Sequence, residues 1–282
     1  MPGKTPEHTI QTLFEGEALT WTRAGDVLEI TLHREPANEI GLTTLGELER
    51  LAAHLRGGAD GAQAMVIHSN QRRGFCAGAD LKELYLELVA HKSEGGSMAD
   101  ATGRVRAFLD CIHAVYDTID QAPLTTIGAL HGTVFGGGFE LALTCDVLVA
   151  DKSARFCFPE LRLGLIPGWG GIPRLRRDVG NAIVRDILMT GRSLNASRAQ
   201  QIGLVSQVVA RGEALTVARR VAEQACRFDA VTAAKAKRFT KPHPAAELAE
   251  EKDLFCELFT SPVVEAALQR FVESTDAMPY LP

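Results

Sequence analysis

Two spacings of apolar residues take turns along the first two thirds of this chain. DVLEITLH, Asp26 to His33, alternates apolar and polar at every second position, which predicts a half-buried strand; REPAN after it predicts a turn. GLTTLGELERLAAHLRG then sets Leu42, Leu45, Leu48, Leu51 and Leu55 on one helical face, and Gly57-Gly58 ends the pattern. QAMVIHSN predicts a second strand, RRGFCAGAD a glycine-containing loop, and residues 81–120 mostly helix, interrupted by a polar, mobile stretch, HKSEGGSMAD. LTTIGALHGTV reads as one buried strand leading to Gly136-Gly137-Gly138 and a helix, with DVLVAD and ARFCF as two more short strands. From Gly170 onward IPRLRRDVG, NAIVRDILMTG and ASRAQQIG predict helices, the last with a glycine cap, and residues 211–282 carry almost no strand signal. Alternating strands and helices followed by helices alone predict an α/β body with a helical tail. The expected divisions are an N-terminal arm over 1–17, a core over 18–210 and a helical segment over 211–282.

Composition narrows the class. Apolar residues make up 46% and charged residues 23% of 282 positions, enough to build a sizeable core. The net charge of −5 argues against non-specific nucleic-acid binding. No apolar run approaches the roughly 20 residues that span a bilayer. The N-terminal stretch has no basic region followed by an apolar one and is too acidic for a transit peptide, so a cytoplasmic protein is expected. Cys76, Cys111, Cys145, Cys157, Cys226 and Cys256 are scattered with no CxxC pair, which favours reduced thiols over a disulfide framework or a metal site.

Chemistry concentrates in FGGGFELALTCD, Phe135 to Asp146, and in FPELRLGLIPGWGG some twenty residues later. Glycines at a helix start let a substrate atom approach bare backbone N–H groups, and the helix dipole adds positive potential there. Glu140 lies among Phe139, Leu141, Ala142 and Leu143, so its carboxylate is expected to be desolvated; the plainer reading is an acid in a first helical turn. Glu160 follows a proline, a common structural setting, and is weaker evidence alone. GxxxxGK[ST], GxGxxG between strand and helix, GxSxG and HExxH are all absent.

Taken together and in order, FCAGADLKEL, GGGFELALTCD, FPELRLGLIPGWGGIPRLRRDVG and MTGRSLNASRAQQIGLVSQVV resemble the enoyl-CoA hydratase/isomerase (crotonase) family, from about residue 18 to about residue 272. The resemblance implies a crotonase-like spiral of ββα turns with a C-terminal helical segment that builds trimers, often paired into hexamers. It also implies an oxyanion hole made of the backbone N–H groups of Ala79 and Gly137, gripping an acyl-CoA thioester carbonyl. Hydrating members carry glutamates at the positions of Glu140 and Glu160, which implies reversible addition of water to an enoyl-CoA, with coenzyme A entering as part of the substrate and no separate cofactor or metal. Which glutamate holds the proton stays open at this point.

Asp80, Leu81, Lys82, Gly168, Trp169 and Phe259 fall where the family contacts substrate. Lys82 matches a CoA-associated lysine, with an ordinary surface lysine equally in play, and Phe259 an aromatic residue that relatives supply from a neighbouring subunit. Two departures stand out. The end of the chain, FVESTDAMPYLP, has none of the lysines that grip phosphate in some relatives, and Lys235, Lys237, Arg238 and Lys241 are either a substitute or a solvated helix face. Trp169 stands where many relatives have a small residue, either shaping the acyl pocket or simply packing. The alternatives are a double-bond isomerase, a dehydratase or decarboxylase acting on a carrier-protein thioester, and a non-catalytic binder of acyl-CoA or RNA.

Overall fold

The computed structural model describes residues 9–95 and 97–274. The chain opens with an antiparallel meander, β1 (Ile10–Glu15), β2 (Leu19–Ala24) and β3 (Val27–Leu32), followed by α1 (Leu42–Arg56). Three turns of similar make-up come next. The first is β4 (Ala64–Ser69), β5 (Gly74–Cys76) and the helices α2 (Leu81–Ser93) and α3 (Met98–Gln121). The second is β6 (Thr125–Leu130), β7 (Thr133–Phe135) and α4 (Gly137–Ala142). The third is β8 (Val147–Asp151), β9 (Arg155–Cys157), a 3₁₀ turn over Glu160–Leu163, and the helices α5 (Gly171–Val179) and α6 (Asn181–Thr190). After β10 (Leu194–Asn195), α7 (Ala196–Gln201) and β11 (Gln207–Val209), only helices follow: α8 (Ala214–Ala225), α9 (Ala230–Thr240), α10 (Ala245–Phe259) and α11 (Pro262–Glu273).

Each turn gives one strand to each of two sheets, and this division makes the spiral. The larger sheet runs β1-β2-β3-β4-β6-β8-β11, parallel from β3 onward; the smaller runs β10-β9-β7-β5. The inner parallel strands are buried on both faces, as their continuous apolar runs require. On one face Ala64, Val66, Ile127, Ala129 and Val149 meet the small side chains Ala214, Ala218 and Ala222 of α8, spaced by four. On the other, Met65, Ile67 and Leu130 join the main core with Leu48, Leu51, Leu55 and Phe139.

Three expectations need correction. Ile10–Glu15, assigned above to the arm, is strand β1, because its edge pairs with β2 and Phe14 stacks on Trp21 at 4.0 Å; residues 1–8 lie outside the described residues. LTTIGALHGTV is not one strand. The chain turns at Gly132, with φ +53°, and β7 leaves for the smaller sheet. RRGFCAGAD contains β5, whose Phe75 N–H reaches His131 O at 2.9 Å. The α1 stripe holds except at its first member, since Leu42 is exposed while the other four leucines are buried.

Candidate active site

The glycine triplet has three different physical reasons. Gly136 turns from β7 into α4 at φ +48°, a left-handed conformation that disfavours any side chain. At Gly137 the obstacle is space: an added Cβ would lie 2.1 Å from the ring of Trp169, and at Gly138 it would lie 2.4 Å from Cys76 O. Tyr116 Oη donates to Gly137 O at 2.8 Å and holds the peptide that follows Gly137. The N–H of Gly137, at the first residue of α4, has no acceptor among the described residues, and neither has that of Ala79. The two strands of chain abut, since a Cβ built on Gly78 would lie 3.0 Å from Gly137 N.

Ala79, Gly136, Gly137, Glu140, Glu160, Gly168, Trp169 and Phe259 all line one cavity of about 560 Å³. Its remaining wall is mostly apolar, with Leu45 from α1, Leu84 and Leu88 from α2, Val105 and Phe108 from α3, and Phe255 from α10. The sequence-predicted acids and amides therefore share one chamber.

Glu140 is buried, and its Oε1 accepts the N–H groups of Trp169 and Gly171, both at 2.8 Å. Burial pushes its carboxyl up to about 7; the two amides and the charge of Arg174 pull in the other direction. Its Oε2 takes no hydrogen bond from the described residues. Glu160 opens the 3₁₀ turn, and its Oε2 is buried without a hydrogen-bond partner. Burial, then the charge of Glu140, holds the Glu160 carboxyl well above the usual carboxylate range. The Glu160 carboxyl has its own backbone N–H as a donor, whereas Glu140 has two loop amides and the charge of Arg174, and donors and cations favour the charged form. Burial raises both carboxyls, and the donors on Glu140 hold its rise to about 7 while Glu160 rises further.

A third buried glutamate was invisible in the sequence. Glu251, on α10, accepts Gly170 N–H at 2.6 Å and Ile172 N–H at 2.8 Å on the same glycine-rich loop. Its helical surroundings, LAEEKDLF, look like any charged helix face, and its partners lie some eighty residues away. The loop is also held through its carbonyls: His113 Nε2 donates to Gly168 O at 2.7 Å, and the fully buried Arg174 donates to Trp169 O at 3.0 Å while pairing with Asp117 at 2.6 Å.

The other predicted residues divide. Trp169 packs against Gly137 and lines the cavity. Gly168 leaves room for Phe255, whose ring an added Cβ would meet at 2.3 Å. Leu81 lines the cavity; Asp80 lines it too, but its carboxylate is engaged by Arg34 at 2.8 Å and by Glu83 N–H at 3.0 Å at the start of α2. Lys82 is exposed and is not among the cavity residues. Phe259 reaches the cavity of its own chain, stacked with Phe255. Of the basic cluster, Lys237 and Lys241 are neither phosphate grips nor a solvated face: they pair with Asp146 at 2.9 and 2.8 Å, and Lys241 also with Asp120 at 2.9 Å, while Lys235 and Arg238 stay exposed.

Comparison with known proteins agrees with this architecture. The family model described as enoyl-CoA hydratase/isomerase matches residues 22–278. A protein of Rhizobium meliloti (strain 1021) named probable enoyl-CoA hydratase is 34% identical over 267 residues, covering 93% of this chain and 97% of that one. Carnitinyl-CoA dehydratase of Proteus mirabilis (strain HI4320) is 35% identical over 208 residues, 74% of each chain. The crystal structure of enoyl-CoA hydratase from Bacillus halodurans shares the fold, with a TM-score of 0.77 at 22% identity over 89% of this chain and 98% of that one. An α/β spiral that divides its turns between two sheets, together with these matches, establishes that the chain belongs to the enoyl-CoA hydratase/isomerase family and has the crotonase fold.

Proposed function

We propose that this protein is an enoyl-CoA hydratase, adding water reversibly across the 2,3 double bond of an enoyl-CoA thioester. One observation carries the reading: two buried carboxyls, Glu160 holding its proton more tightly than Glu140, line the same apolar chamber as two unpaired backbone amides. The thioester carbonyl oxygen sits between the N–H groups of Ala79 and Gly137. Glu140, ionised and anchored through Oε1, takes a proton from water through Oε2 as the water oxygen bonds to C3. The π electrons move to the carbonyl oxygen, where the two amides stabilise the enolate; loss of one such donor typically costs about 10²- to 10³-fold in rate. Glu160 delivers its proton to C2, and the enolate collapses to the 3-hydroxyacyl thioester. The overall change adds H and OH and transfers no electrons, so it calls for no redox cofactor.

Self-association is part of the same reading. No residue of α9 is buried, and Val231 and Phe239 are left to solvent in the single chain, which supports packing against further copies in a trimer or hexamer. Sedimentation of the purified protein tests this.

The test of function is loss of the conjugated thioester's ultraviolet absorbance on mixing the protein with short and medium 2-enoyl-CoA. Hydration that falls by orders of magnitude in Glu140→Gln and Glu160→Gln is the expected result. Conversion of a 3-enoyl to a 2-enoyl thioester without water uptake would replace the reading with isomerisation. No turnover of any enoyl thioester would end it.

A further inference from the structure

The start of α5 is an unusual meeting of donors and acceptors. The first N–H groups of a helix have no partner inside it, and here they belong to Gly170, Gly171 and Ile172, preceded by that of Trp169. Pro173 has no N–H, and the bond from Arg174 N to Gly170 O at 3.3 Å is the first of the helix. The four orphan donors are shared between two carboxylates in strict alternation. Glu140 takes those of residues 169 and 171, while Glu251 takes those of 170 and 172. Neighbouring peptide planes are thus turned to opposite sides and held there.

The loop has no slack to adopt another path. A Cβ on Gly170 would strike Arg174, and one on Gly171 would come 2.8 Å from Glu140 Oε1. Holding the planes that carry the amides of 170 and 172 restrains that of 171 between them and that of 169 beside them, because consecutive planes share a Cα. It also fixes the Trp169 ring that lies on Gly137.

We propose that Glu251 is a positioning residue for the hydration reaction: from the C-terminal helix α10 it sets the loop that in turn holds Glu140, keeping one oxygen of Glu140 on the loop and the other turned to the cavity. This inference rests on the hydratase reading. Glu251 acts through the loop and is not a catalytic residue. Both of its oxygens must accept, so the near-isosteric amide of glutamine is a poor substitute: its NH₂ would face an N–H donor.

The experiment compares Glu251→Gln with Glu251→Asp in a Trp21→Phe background, where Trp169 is the remaining indole of the two in the chain. A shift of about 1 Å in a catalytic group costs on the order of 10²-fold, so kcat of the Gln variant should drop by about that factor with KM little changed. The Asp variant, which keeps two accepting oxygens, should recover part of kcat. Trp169 emission should move to the red in the Gln variant as the loop loosens. Wild-type kcat in a folded Gln variant would overturn the proposal. So would an Asp variant worse than the Gln variant, the order expected if Glu251 only fills space. If the Gln variant does not fold, the Asp variant decides alone: a loss carried by kcat with KM unchanged supports positioning, and a loss carried by KM with kcat unchanged overturns it. If the wild type hydrates no enoyl thioester, the functional reading fails on that ground, and Trp169 emission still judges the clamp.

Discussion

Trp169 occupies the space in which Gly137 would carry a side chain, its Cζ3 standing 2.1 Å from where a Cβ would be. Gly137→Ala therefore cannot be absorbed by a small adjustment. Either the indole leaves its place beside Phe108 and Tyr116, or the Gly137 peptide shifts away from Tyr116 Oη. Overpacking of this kind costs roughly 1–3 kcal/mol of stability. Displacing an oxyanion donor, the role proposed for the Gly137 amide, costs about 10²- to 10³-fold in kcat. Thermal melting and steady-state kinetics on Gly137→Ala check both, and a variant with wild-type kcat would remove the Gly137 amide from the mechanism.

Removing the indole tests the opposite side of the same contact. Trp169→Ala enlarges the chamber next to Glu140 while leaving the backbone N–H that binds Glu140 in place. The ratio of kcat/KM for long against short acyl chains should rise. An unchanged ratio would assign Trp169 to packing alone.

In the proposed hydration, with Glu140 as the base, the acid limb of activity follows Glu140. As a base it must be ionised, so kcat/KM should rise with pH through about 7. Glu160 must stay protonated, and its raised affinity for a proton sets a separate alkaline limb, which Glu160→Gln abolishes along with most of the rate.

Stability should move in the opposite sense. Glu140 binds its proton more tightly folded, with a value of about 7, than unfolded, near 4.5, so the folded protein holds the extra proton between these limits. Stability from this group is present below about 4.5 and is lost as pH rises through about 7. Urea midpoints for wild type and Glu140→Gln, compared at pH 5 and pH 8, should differ in slope, with the variant losing less on going to pH 8.

Asp120 is the anchor on which Lys241, Arg177 and Arg174 converge, at 2.9, 3.0 and 3.4 Å. Despite burial, these charges bring its carboxyl down to about 2. Asp120→Ala strands buried cations and should destabilise the fold by about 3–5 kcal/mol, read from urea denaturation. Because Arg174 also holds Trp169 O, kcat should fall as well. A loss of under 1 kcal/mol would mean the neighbouring carboxylates take over its role.

What the sequence disclosed depended on how local the cause was. The α1 stripe, the glycine-led start of α4 and the desolvated Glu140 are legible because their reasons lie within a few residues of each other. The break between β6 and β7 is not, since both sides are apolar and buried and only Gly132 marks the turn. Strands as short as β10 and β11 are too brief for alternation to register. Glu251 and the pairing of Lys237 and Lys241 with acids about a hundred residues earlier needed the folded chain, because nothing next to them in sequence announces a partner.

Because α10 contributes Phe255 and Phe259 to the chamber wall and Glu251 to the loop, enclosure of the site depends on a segment far along the chain from the glutamates it surrounds. A chain truncated after Thr240 would retain every strand of both sheets yet have an open gutter in place of an enclosed chamber. The hydrophobic trough between α2, α3 and the Trp169 loop is thus closed by a helix that comes after every strand in the chain.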